Sequence, residues 1–199
     1  MFVEDKEMYH IHTSNKYDNL WFPGNIITID NNFKSYFREI DNKTMTGILN
    51  VSDELVPIDN VIREYLKRDD ITLEQYKDLL EQASIIIHNM SLKERECVLE
   101  WVRQNNFSHL PSRNSCIWLT DEKDLEFWKN QLGRQQEIFK VSATGVLFKS
   151  ADRLLPSLKT TQPEMFEQAV MYWEAKDLKE NDNIEYLFQG KLKLLERVK

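Results

Sequence analysis

Apolar and polar positions change their period along the chain. Residues 7–51 alternate in short runs, MYHIHTS, GNIITID and TMTGILNV, separated by Pro23, Gly24, Asn31 and Asn32. Alternation of period two between turn-formers predicts strands and loops. From residue 54 the period lengthens. VIREYLKR, LEQYKDLLEQASIIIHNM and KERECVLEWVRQN carry apolar residues at helical spacing. Thr72 with Gln75, and Ser91 with Glu94, match the capping-box pattern, so the last two segments are expected to open as separate helices there. Residues 54–106 read as a compact helical block.

The β-type signal then returns. SCIWLT (115–120) predicts a short buried strand, and DEKDLEFWKNQL (121–132) a helix with Leu125, Trp128 and Leu132 on one face, ended by Gly133. EIFKVSATGVLFKS reads as a hairpin turning near Ala143 to Gly145. PEMFEQAVMYWEA reads as a helix with Thr161 as cap, Pro163 as first residue and Glu164 in the third position. IEYLFQGKLKLLERV reads as two strands turning at Gln189-Gly190. Strands at both ends with helices between them predict one α+β domain over residues 1–199, with a helical insertion at about 54–106.

Composition narrows the functional classes. The chain is 41% hydrophobic and has only five glycines and five prolines, which suits a packed domain and excludes a disordered chain. A net charge of −7 leaves no global footprint for nucleic acid, so such a contact would need a local patch. Cys97 and Cys116 stand far apart, in neither a disulfide framework nor a zinc ribbon. No apolar run reaches a membrane span, and the N-terminus MFVEDKEM is acidic where a secretory signal is basic; a cytoplasmic protein is expected.

The motifs of dinucleotide-binding folds, P-loops, zincins, α/β-hydrolases and calcium loops are missing. What remains conspicuous is EMYHIHTS, which holds two of the four histidines. On a strand His10 and His12 share a face, as a metal pair, a catalytic device or an accident of sequence. Zinc would need further ligands, and neither His88 nor His109 has ligand spacing around it, so no metal site is expected.

Three segments together resemble the ADP-ribosyltransferase superfamily, and within it a bacterial branch of unknown function. The first is Met8-Tyr9-His10-Ile11-His12-Thr13-Ser14 with the following NLWFPGNII. It is similar to the superfamily's early strand [LM]-Y-H-x-[TS], whose histidine binds the nicotinamide ribose of NAD. The hydroxyl position two after that histidine is His12 here, with Thr13 next. The resemblance therefore implies NAD contacts at His10, His12 and Thr13, with His10 favoured because Tyr9-His10 matches the superfamily's pair.

The second segment, PSRNSCIWLTDEKDLEFW, resembles the central strand where a serine and an aromatic line the nicotinamide pocket. Arg113 would offer its fork of donors to the pyrophosphate and Ser115 its hydroxyl to the amide or ribose. Taken alone, Arg113 reads as a surface charge and Trp118 as a core residue. The third segment, Glu185-Tyr186-Leu187-Phe188-Gln189-Gly190, is similar to the motif E-[VYF]-[LV]-[IFL]-x-[PG], which places the catalytic glutamate at the start of a strand. A carboxylate there stabilises the oxocarbenium character that develops as nicotinamide leaves. Taken alone, Glu185 begins an exposed hairpin strand.

The resemblance implies a split antiparallel sheet of the ADP-ribosyltransferase type with an inserted helical block, NAD as co-substrate, and transfer of ADP-ribose by a His…Glu pair. Strands bearing His10, Ser115 and Glu185 should then be neighbours and their side chains should line one pocket. Asn183 stands where arginine-modifying toxins carry a second acid, which leaves another protein side chain, a nucleic acid or a small molecule as acceptor, in the manner of a bacterial or phage toxin or defence effector. Two other readings are an NAD- or nucleotide-binding module without turnover, and an acidic protein-interaction module.

Overall fold

Strand β1 (Phe2–Thr13) begins the chain and includes the whole EMYHIHT run. The structure, a computed structural model, describes residues 1–13, 20–33, 48–51, 54–133 and 136–198. Ser14, Asn19 and the expected alternation at 44–47 lie outside the described residues. β2 (Ile26–Ile29) follows, then a two-stranded hairpin of β3 (Ile48–Val51) and β4 (Glu54–Pro57). The region expected to be wholly helical from residue 54 therefore opens with a strand. Its helices are α1 (Ile58–Leu66) and α2 (Leu73–Asn106).

α2 is one helix of 34 residues, about 50 Å long, where two were expected. Its N-terminal capping box forms: the Thr72 N–H donates to Gln75 Oε1 at 2.9 Å, and the Gln75 N–H to Thr72 Oγ1 at 3.2 Å. The second predicted cap does not. Ser91 lies inside the helix, and its hydroxyl donates back to the Ile87 carbonyl at 3.1 Å. A serine can satisfy its hydroxyl this way without ending a helix, so the motif alone does not mark a start. The C-terminal half joins the main core through Val98, Leu99 and Val102; in the N-terminal half Leu79 and Ile86 are buried apart from that core, while Leu80 and Ile87 are exposed.

β5 (Ile117–Leu119) and α3 (Leu125–Leu132) fall where predicted, with α3 ending at Gly133, φ 87°. α4 (Gln162–Glu174) has Thr161 as cap, and Pro163 is its second residue, not its first. Glu164 takes hydrogen bonds from the Thr160 hydroxyl at 2.6 Å and the Thr161 N–H at 3.0 Å, which pull its pKa down to about 2.

The two expected hairpins are instead two continuous strands, β6 (Gln136–Ala151) and β7 (Ile184–Arg197), paired antiparallel along most of their lengths. Gly145 and Gly190 read as turn residues in the sequence; in the fold they face each other across this ladder. A Cβ on either would stand 2.7 Å from the other's Cα, and closer still to the carbonyl of Gln189 or Thr144. Both glycines serve a close approach of two backbones.

The molecule is α+β. β1, β6, β7 and β2 form an antiparallel sheet in that order, and β5 pairs with β7 beside β2. Tyr9 and Thr120 exchange backbone hydrogen bonds of 2.9 Å in both directions, so β5 also touches β1 and the path β1-β6-β7-β5 closes on itself. Met8, Val141, Leu147, Ile117, Phe188 and Leu192 bury one face of this sheet. On the other face, Phe148 meets Tyr172 and Trp173 of α4, and the Trp173 indole donates to the Leu99 carbonyl of α2 at 2.8 Å. No helix among the described residues is long and apolar enough to cross a membrane.

Gly145→Ala and Gly190→Ala are each expected to destabilise the fold by at least about 2 kcal/mol, because the new methyl meets backbone that cannot step aside. Chemical denaturation reads this as a lower midpoint with an unchanged slope; an unchanged midpoint would show that the ladder opens freely at this point.

Candidate functional site

Alternation along β1 puts His10 and His12 on the same face, and both imidazoles stack on Trp21. The ring centroids lie 4.5 Å and 4.4 Å from the indole and 5.9 Å from each other, so the two rings sit side by side beneath it. Phe139 of β6 supports the group, 5.6 Å from Trp21. His10 Nδ1 meets the Trp118 carbonyl at 2.9 Å. A carbonyl can only accept, so Nδ1 carries the proton and Nε2 holds the lone pair. Nε2 makes no hydrogen bond among the described residues and is not fully buried. Burial lowers the His10 pKa to about 4 against the pull of the Trp118 bond, and neighbouring His12 adds to the lowering. His10 is a neutral acceptor of set orientation.

The second group of predicted residues lies in the interior. Arg113, 2% exposed, is no surface charge. Its Nε donates to Glu96 Oε2 of α2 at 2.6 Å, and its Nη1 to Tyr172 of α4 at 2.6 Å and to Glu185 Oε1 at 3.1 Å. Glu185 is 5% exposed and begins no exposed hairpin. It also accepts from the Tyr172 hydroxyl at 2.6 Å and, on Oε2, from the Trp118 indole at 3.1 Å. Arg95 lies 3.3 Å from Glu96, giving two carboxylates and two guanidinium groups. Burial opposes the Arg113 charge, but Glu96 and Glu185 outweigh it and raise its pKa well above the ordinary value. Burial raises the Tyr172 pKa likewise, with Glu185 adding to the rise and Arg113 opposing it.

These two groups leave the sheet on opposite faces. His10 stands opposite Phe139 and Glu185 opposite Ser150, both on β6. Phe139 and Ser150 are an odd number of positions apart in a strand without a bulge of its own, so their cross-strand partners point opposite ways. The packing agrees: Phe139 meets Trp21, whereas Ser150 donates to the Tyr172 carbonyl. The strands of His10 and Glu185 and the short β5 beyond Ser115 are joined in one sheet, but the side chains do not share a face. Trp118 connects the two groups, its carbonyl on His10 and its indole on Glu185. Ser115 is buried and accepts from Gln189 Nε2 at 2.9 Å. Thr13 is exposed at the end of β1, and alternation turns it away from the His10 face.

Sequence reasoning passed over Trp21, Glu96 and Tyr172. Glu96 did carry a signal, since it stands three positions before Leu99 on the stripe that packs inward, where a charge needs a partner. Tyr172 continues the buried stripe Met165, Ala169 of α4. Trp21 lay within the quoted NLWFPGNII motif, and nothing local pairs it with two histidines. Among the described residues no three His, Cys, Asp or Glu side chains gather as a metal site.

Fold and site define an α+β protein with a histidine–tryptophan cluster on one face of an antiparallel sheet and a buried ion-pair network on the other. Residues 8–199 match the family model described as a protein of unknown function (DUF2441), and the chain belongs to that family. No curated protein matches the chain.

The His10 pKa predicts a pH dependence of stability. Between the ordinary 6.5 and the folded value of about 4, the unfolded chain takes up a proton that the folded chain refuses, so stability falls as pH drops through that window. His10→Asn, which does not titrate, is expected to flatten the fall in melting temperature between pH 6.5 and pH 4. A profile identical to wild type would show that the imidazole is not held neutral.

Proposed function

We propose that the chain binds NAD on the histidine face, with His10 accepting a hydrogen bond from a ribose hydroxyl, in a fold of the ADP-ribosyltransferase type. The observation that carries this reading is the state of His10: neutral, fixed as the Nδ1–H tautomer by the Trp118 carbonyl, and with no hydrogen bond to Nε2 among the described residues. A hydroxyl donor suits such an acceptor, whereas a phosphate favours the protonated ring, in which both nitrogens donate. Trp21 adds an aromatic surface next to it.

The fuller reading is transfer of ADP-ribose from NAD to an acceptor other than arginine, with Glu185 as the carboxylate that stabilises the ribosyl cation. That role needs Glu185 to reach the ribose held by His10. A second reading, binding without turnover, is favoured by a specific observation: Glu185 accepts from three donors and leaves the sheet on the face away from His10.

Thermal unfolding with and without NAD separates these readings from an interaction module. Saturation at about 100 times Kd is expected to add about 2.7 kcal/mol of stability, and His10→Ala to remove most of it. No stabilisation of wild type by NAD would end the reading. Nicotinamide release distinguishes its two forms: release that falls on the order of 10²–10³ in Glu185→Gln supports transfer, and NAD binding without release supports the module.

A further inference from the structure

We infer that Glu185 is a positioning residue for the histidine site, acting through Trp118 to hold the carbonyl that orients His10. This rests on the reading that His10 receives the ligand. β5 is three residues long, paired with Tyr186 to Phe188 of β7 and joined to β1 by the Tyr9–Thr120 bridge. A strand this short has few ladder bonds of its own, so side-chain anchors weigh more in its placement. Its middle residue is Trp118. The indole donates to Glu185 Oε2 at 3.1 Å and lies 5.4 Å from the Arg113 guanidinium carbon, while the carbonyl of the same residue accepts from His10 at 2.9 Å. Glu185 is held in turn by Arg113 and Tyr172, and Arg113 by Glu96. A continuous set of bonds thus runs from α2 through the sheet to the histidine face.

A carboxylate is required at the junction. Its two oxygens accept from Tyr172, Arg113 and Trp118, whereas a glutamine offers one oxygen and turns an NH₂ group toward a donor. Glu185→Gln therefore breaks the hydrogen-bond match with almost no change of shape. Trp118→Phe removes the indole N–H and leaves every charge in place.

The test reads the His10 tautomer by nitrogen NMR in the whole chain labelled with ¹⁵N-histidine. Wild type is expected to show a single Nδ1–H form. In Glu185→Gln and Trp118→Phe the His10 shifts are expected to move toward an average of both tautomers, while the dispersed backbone amide proton spectrum is retained and reports an intact fold. A pure Nδ1–H His10 in the folded variants overturns the inference, and Trp118→Phe decides it should Glu185→Gln fail to fold. Titration with NAD keeps the two claims apart. A tautomer that responds in a protein that does not bind NAD refutes the NAD reading and leaves the coupling; NAD binding with an indifferent tautomer does the reverse.

Discussion

The Arg113 guanidinium is the interaction on which the rest of the structure depends. It sits in the loop before β5 and meets Glu96 from α2, Tyr172 from α4 and Glu185 from β7, so one side chain ties four separated stretches of chain. Charges this deep are costly unless each is paired, and removing one partner from such a set typically costs about 3–5 kcal/mol. The planar fork suits the task, since its Nε edge and its Nη1 group serve different carboxylates. Arg95 beside Glu96 brings positive and negative charges into balance.

This network divides the sheet into unlike faces. Beneath α2 and α4 the polar groups are saturated by one another, which leaves little for a ligand to bind. On the face of His10 and His12 the polar groups are few, and the His10 Nε2 is one of them. β5 is the seam between the faces, and Trp118 meets both. A neutral imidazole is itself a product of burial: desolvation lowers its pKa, and the backbone carbonyl then selects which nitrogen stays free.

Much of this was legible in the sequence wherever the signal was local. The capping residues Thr72 and Thr161 act within one helical turn of their partners, and the shared face of His10 and His12 follows from alternation alone. The errors arose where a residue serves a distant one. Gly145 and Gly190 read as turns because their real role, a cross-strand contact, requires knowing which strands pair. Ser91 read as a cap because a back-bonded serine has the same neighbours as a capping one. The buried partners of Arg113 were not legible, because Glu96 is on another element and Glu185 is at the far end of the chain. The opposite facing of His10 and Glu185 is set by pairings in β6 that no motif displays.

The central claim is that Arg113 and its partners hold β5 in place between the two faces. Amide hydrogen exchange across β5 tests it most directly, since the Thr120 N–H donates to the Tyr9 carbonyl at the β1–β5 bridge. In Arg113→Met the account predicts that amides of residues 117–120 lose protection by a factor of ten or more, while those of the β6–β7 ladder retain theirs. Residues 117–120 as protected in the variant as in wild type would contradict it.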